Sequence, residues 1–175
     1  MVSILFVTIL KLIAISIGAG ASTVLVAQSL VTIKDNTVSK DEQNLLAIVM
    51  LLLRMAILLL FITQAWFTAF VYIDTSINLS IFMSVNTLTW TLLGVLFITF
   101  VFIDYAIINR QMGVSIQIAT WYALIYIWGW PILVPLSIDT FLLAYIIFTL
   151  LAVFLIKKAH FYVSSAQFLH RKAND

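Results

Sequence analysis

Long apolar runs alternate along the chain with short polar breaks. A helix needs about 20 apolar residues to cross a bilayer, and five runs reach that length. They extend roughly over residues 2–33, 45–73, 79–103, 114–136 and 140–156. Lys34, Asp35 and Asn36 end the first run. Ser39 followed by Glu42 three residues later is a capping-box pattern that opens the second helix. Residues 74–78 and 109–113 are short polar turns, and Pro131 and Pro135 bracket the end of the fourth run, where a helix normally stops. The pattern predicts an all-α polytopic transmembrane bundle of about five spans over residues 1–158. A cytoplasmic amphipathic tail is expected at 159–175; after Ile156, Lys157, Lys158, His160, Arg171 and Lys172 alternate with aromatic and aliphatic residues.

Composition agrees with that pattern. Of 175 residues, 64% are apolar and 9% charged, against about 45–50% and about 25% in soluble domains. The surplus of apolar residues excludes disorder as well. A cleavable signal peptide is not expected, because the first apolar run lacks a basic leader and continues far past the usual length. Net charge is +2, and the cations sit in short loops and the tail, so the expected anionic partner is membrane lipid and not nucleic acid. With no cysteine, disulfides, thiolate metal sites and iron–sulfur clusters are excluded.

Cation placement also sets an expected orientation. Lys34, Lys40, Arg54, Arg110, Lys157, Lys158, Arg171 and Lys172 fall on one side, and Lys11 stands alone toward the other. The N-terminus is therefore expected outside and the C-terminus in the cytoplasm, with Trp128 and Trp130 in the outer aromatic belt. The first two runs are each about 30 residues, so about 45 Å long, more than a hydrocarbon core of about 30 Å accommodates. Counted from the hairpin tip, Lys11 and Arg54 differ in depth by about 16 Å. Either Arg54 marks the inner interface, Lys11 lies near mid-membrane and an apolar hairpin projects inward, or the hairpin is immersed, Lys11 marks the outer interface and Arg54 needs a partner.

Three residues are candidate functional charges. Lys11 reads as a proton or anion site, or as a snorkelling lysine. Arg54 is expected to pair with Asp104 at the end of the third span, or to serve as a topology marker. Ala14, Gly18 and Ser22, with Ser16 and Gly20, form the small-xxx-small spacing that brings helices close. Gln64 and Gln117 are candidates for interhelical hydrogen bonds. Trp66, Trp90 and Trp121 lie within spans and suit core packing, with stacking against a ring cofactor as the other reading. His160 and His170 have no further ligands to make a metal site. No catalytic residue, metal ligand or cofactor is predicted.

Lys11 to Ala14, Gly18 to Ala21, Ser39 to Glu42, Arg54 and Thr120-Trp121-Tyr122 together resemble a group of small bacterial multi-pass membrane proteins. Their first helix carries a Lys-x-x-His and Gly-x-Gly stretch. The resemblance implies a plasma-membrane location, and the lysine–histidine helix is similar to that of haem-binding and copper-related membrane families. Ala14 stands where the histidine would be, so haem ligation does not carry over. The expected function is a non-catalytic accessory or assembly subunit that packs against a partner subunit or itself. The alternatives are a transporter or channel subunit using Lys11, Arg54 or Asp104, and a haem- or quinone-associated redox protein.

Overall fold

Five α-helices make up the fold: α1 (Val2–Asp35), α2 (Lys40–Ile73), α3 (Leu79–Asp104), α4 (Arg110–Gly129) and α5 (Ile138–Asn174). The computed structural model describes the backbone of residues 2–35, 40–73, 79–129 and 137–174, and side chains within 4–30, 40–70, 83–129 and 137–163. The expectations for Lys34, Ser39, Trp130, Pro131, Pro135, His170, Arg171 and Lys172 concern loops or side chains outside those residues. Backbone hydrogen bonds cannot be made to hydrocarbon, so apolar segments of this length satisfy them internally as helices.

Local chemistry sets several helix ends. Asn109 caps α4, its Oδ1 accepting from the Gln111 amide at 3.1 Å. Ser137 caps α5 in the same way, its Oγ accepting from the Thr140 amide at 3.3 Å. At the end of α3 the Ile107 and Ala106 amides donate back to the Phe102 and Ile103 carbonyls, a Schellman closure. The residue that turns the chain there is Ala106, at φ 53°, where glycine is usual because a Cβ is strained in the left-handed region. Just beyond, Gly113 faces Ile103 so closely that a Cβ would meet its Cγ1 at 2.4 Å. That contact lets α4 start flush against the end of α3.

Helix α1 packs on α2, α4 and α5, α3 packs on α2 and α4, and α4 packs on α5. The core lies between them, around Ile15, Leu53, Leu60, Leu92, Leu96, Trp121 and Leu124. Four helices are long and apolar enough to cross a membrane; among the described residues α4 is not one of them. The fourth expected span, 114–136, runs past the end of α4 into residues outside those described. Within α4 half of the residues are buried, Ser115, Gln117 and Thr120 among them, and a helix screened by its neighbours does not need a uniformly apolar surface. At 20 residues it is still about 30 Å long.

The small-residue stripe of α1 divides by face. Ala14, Gly18 and Ser22 are buried, while Gly20 is exposed. Gly18 lies against the Trp121 indole, where a Cβ would come within 2.4 Å of three ring atoms. Around Gly20 such a Cβ meets nothing within 4 Å, so Gly20 takes no part in this packing. The two spacings are offset by two positions, about 200° around a helix, and only one can face the bundle. Trp121 is wholly buried, and its indole N–H has no hydrogen-bond partner. Packing against Gly18, not hydrogen bonding, holds it. Helix α5 continues unbroken through residues 158 and 159, so the expected boundary between span and tail is not a break in structure.

Candidate functional site: a caged lysine and a polar notch

Polar side chains gather at two levels of the bundle, one near each end of α4. The first centres on Lys11. Lys11 is 24 residues from Asp35 at the end of α1, and Gln64 is 24 residues from Lys40 at the start of α2. In an antiparallel helical hairpin, equal distances from the tip bring two residues side by side. The Lys11 ammonium donates to Gln64 Oε1 at 2.7 Å, and both side chains are completely buried. That bond fixes the orientation of the Gln64 amide. Its Nε2 is left to donate to Asn86 Oδ1 at 2.6 Å.

The network continues into α3. Thr68 Oγ1 lies 2.8 Å from the same Asn86 oxygen and accepts from the Trp90 indole N–H at 3.0 Å. Above the ammonium sit two ring faces. Lys11 Nζ is 3.9 Å from the Phe67 ring centre and 3.8 Å from that of Trp128. The two rings meet edge to face at 5.2 Å. The negative faces of aromatic rings attract a cation, by about 2 kcal/mol or more where water is excluded. Trp128 is itself held by its indole N–H donating to Thr89 Oγ1 at 3.1 Å. Four helices thus supply the surroundings of one ammonium: α1 the lysine, α2 Gln64 and Phe67, α3 the supporting Asn86 and Thr89, and α4 Trp128.

Lys11 is enclosed within the bundle and does not reach past its neighbours. Trp128 turns inward over Lys11 and is half-buried, so it stands at the level of Lys11 along the bundle. Asn86 carried no signal in sequence; a lone asparagine in an apolar run acquires meaning only from the residue opposite.

Arg54 and Asp104 come together, with Nη2 to Oδ2 at 3.5 Å and both side chains substantially exposed. The guanidinium also lies 5.2 Å from the Phe100 ring. A helical side chain leans toward the helix N-terminus, which carries the Arg54 head toward the end of α2 where Arg110 also stands. Lys11 is apart from this pair. Arg54 and Gln64 are ten residues apart on α2, about 15 Å along the axis. The three candidate charges therefore do not form one cluster.

The second level, about 27 Å from Lys11 along α1, surrounds His160. Gln111 Nε2 donates to His160 Nδ1 at 2.9 Å. Nε2 of the imidazole then donates to Ser29 Oγ at 3.3 Å, and Ser29 in turn donates to the Val26 carbonyl at 2.7 Å. The chain of donors is complete with a neutral ring. Beside it Gln28 Nε2 donates to the Glu42 backbone carbonyl at 2.7 Å, which leaves Gln28 Oε1 buried and without a partner. Arg110 and Glu42 stand at the edge of a cavity of about 230 Å³ formed there. Among the described residues no three His, Cys, Asp or Glu side chains group as metal ligands do.

The fold and these two sites define a membrane protein of the helical-bundle class. The chain matches no protein-family model, no curated protein and no solved structure.

Proposed function

We propose that this protein is a multi-pass, non-catalytic accessory or assembly subunit of the bacterial plasma membrane, built to present α5 to a partner subunit or to a second copy of itself. The observation that carries the reading is the contrast between α5 and the other helices. Only 6% of the apolar window of α5 is buried within the chain, against 28–39% for α1, α2 and α3. Its outer stripe includes Leu143, Ile147, Leu150, Phe154 and Leu155, all more than half exposed.

The caged lysine supports the same reading. A transport site must exchange its ion with water, and Lys11 is closed off on every side by Gln64, Phe67 and Trp128. A cation held by an amide oxygen and two rings fixes the rotation and register of four helices. That is what a rigid subunit requires.

The two levels support one membrane placement. Lys157 and Lys158 close the apolar part of α5, and Arg110 opens α4, so the His160 level falls at the cytoplasmic interface. Lys11 then lies just inside the outer interface, since about 27 Å nearly spans a core of about 30 Å. The hairpin is immersed, and Arg54 obtains its partner in Asp104.

Purification in mild detergent followed by native mass measurement tests the proposal, with a photo-reactive residue at Leu150 reporting the neighbour of α5. A defined dimer or a single co-purifying subunit, crosslinked through Leu150, is expected. A stable monomer with no crosslink at that position would refute it. Single cysteines in residues 74–78 and 105–109 test the topology, because the chain has no cysteine of its own. They are expected to label from opposite faces.

A further inference from the structure

Helix α5 is tied to its neighbours by polar side chains at two heights. The Thr120 hydroxyl donates to the Ile116 carbonyl at 2.7 Å, so it accepts from the Tyr145 phenol at 2.8 Å. Fifteen residues further on, about 22 Å along the axis, His160 lies between Gln111 of α4 and Ser29 of α1. The roles of its two ring nitrogens are fixed. Ser29 gives its one hydroxyl hydrogen to the Val26 carbonyl, so it can only accept from the ring, and Nε2 carries the hydrogen. Nδ1 is then bare in the neutral ring, and it accepts from Gln111 Nε2 at 2.9 Å. Every member of this chain is satisfied while the ring is uncharged.

A second ring proton breaks that arrangement. It lands on Nδ1, where an N–H then faces the N–H of Gln111. Turning the Gln111 amide over restores the bond but not the charge balance. His160 is only 7% exposed, so an imidazolium there is a buried cation. From α4 it meets Arg110, which shares its cavity, and on its own helix Lys157 lies one turn earlier. From α2, Glu42 is the single acid lining that cavity among the described residues. Helix α1 presents Gln28 and Ser29, neither of them titratable. The helix that carries the charge is also the one least held, with only 6% of its apolar window buried, and segments with few buried contacts open first. We propose that His160 is a proton-operated latch: the neutral ring holds the cytoplasmic part of α5 against α1 and α4, and protonation releases it while the Tyr145 bond stays closed. Release takes up a proton and docking gives it back, so the docked state is favoured at high pH and lost as pH falls. A phenol keeps its proton through this range, so Tyr145 serves as the pivot. Gln111 and Arg110 are exposed, which gives protons a route to the ring.

The test uses the full chain in mild detergent, spin-labelled at Met112→Cys in α4 and Tyr162→Cys in α5, both exposed positions. The chain has no cysteine of its own, and His170→Asn leaves His160 as its one histidine. Pulsed dipolar spectroscopy reads the distance between the labels at about pH 8 and about pH 5, the limits between which an imidazole changes charge. A single narrow distance is expected at the higher value, with any second population below about 10%. At the lower value a longer and broader population is expected to become the major one. His160→Gln keeps one acceptor and one donor without titrating, and is expected to show no such change. Gln111→Glu, at an exposed side chain, sets a carboxylate against Nδ1 and is expected to hold α5 docked at the lower pH as well. The readout lies within one chain, so it does not depend on what the outer face of α5 meets. The same distances at both pH values, a change that persists in His160→Gln, or an opening in Gln111→Glu as large as in the parent each overturns the latch.

Discussion

Removing either partner of the Lys11–Gln64 bond should cost stability by different mechanisms, and the two losses should not add. Gln64→Leu leaves a buried ammonium with ring faces alone. Stranding a buried charged donor costs more than the about 1–3 kcal/mol of a neutral unsatisfied group. Lys11→Met keeps an unbranched apolar side chain of similar length and removes the charge. It leaves Gln64 Oε1 buried without a donor, at a cost of about 1–3 kcal/mol. In the double variant neither the stranded ammonium nor the stranded oxygen exists. The combined loss is expected to be smaller than the sum of the single losses by about 2 kcal/mol, within the range measured for contacting residues. The Gln64–Asn86 bond of 2.6 Å is lost in both Gln64 backgrounds and cancels from the cycle. Reversible unfolding in mixed detergent micelles supplies the four free energies. Tryptophan fluorescence is a suitable probe because Trp128 and Trp90 lie in the same network. Single effects that add to within about 0.5 kcal/mol would show that Lys11 and Gln64 do not act as a pair, and the structural role given to the lysine would fall with them.

Other substitutions probe the packing. Gly18→Ala drives a Cβ into the Trp121 ring and should destabilise by about 1–3 kcal/mol, while Gly20→Ala should not destabilise; equal effects in the same unfolding assay would show that the stripe does not divide by face. Gly113→Ala should cost less than Gly18→Ala, because the obstructing atoms are the side-chain end of Ile103, which can turn aside. Ala106→Gly should raise stability by about 1 kcal/mol by relieving the left-handed alanine; a loss would mean that the turn is not strained. Asp104→Asn leaves the Arg54 guanidinium in an immersed hairpin without its counter-charge and should cost more than the about 1 kcal/mol of a water-exposed pair; a loss no larger than that would place the pair in water and the hairpin outside the bilayer.

Counting from the hairpin tip could have found part of the site. Lys11 and Gln64 are equally far from the ends of α1 and α2 that meet there, so a helical hairpin puts them level. The Arg54–Asp104 pair was open to the same reasoning, because both were placed toward the cytoplasmic ends of their spans. What such counting lacks is rotation. Whether Gly18 or Gly20 faces the bundle depends on an angle about the α1 axis. Nothing local sets that angle when the helix is apolar nearly all round.

Sequence by itself determined the helices, their approximate limits and their membrane character. Every backbone polar group must be satisfied within its own segment when water is absent, so length and apolarity suffice. Tertiary structure alone decided which polar residues meet. It set the Trp128 ring over Lys11, gave Asn86 its place opposite Gln64, and left α5 with its outer face uncovered. Those outcomes depend on how helices pack and rotate against one another. In an apolar medium that is governed by close packing and a few interhelical hydrogen bonds, not by a hydrophobic pattern that can be read along the chain.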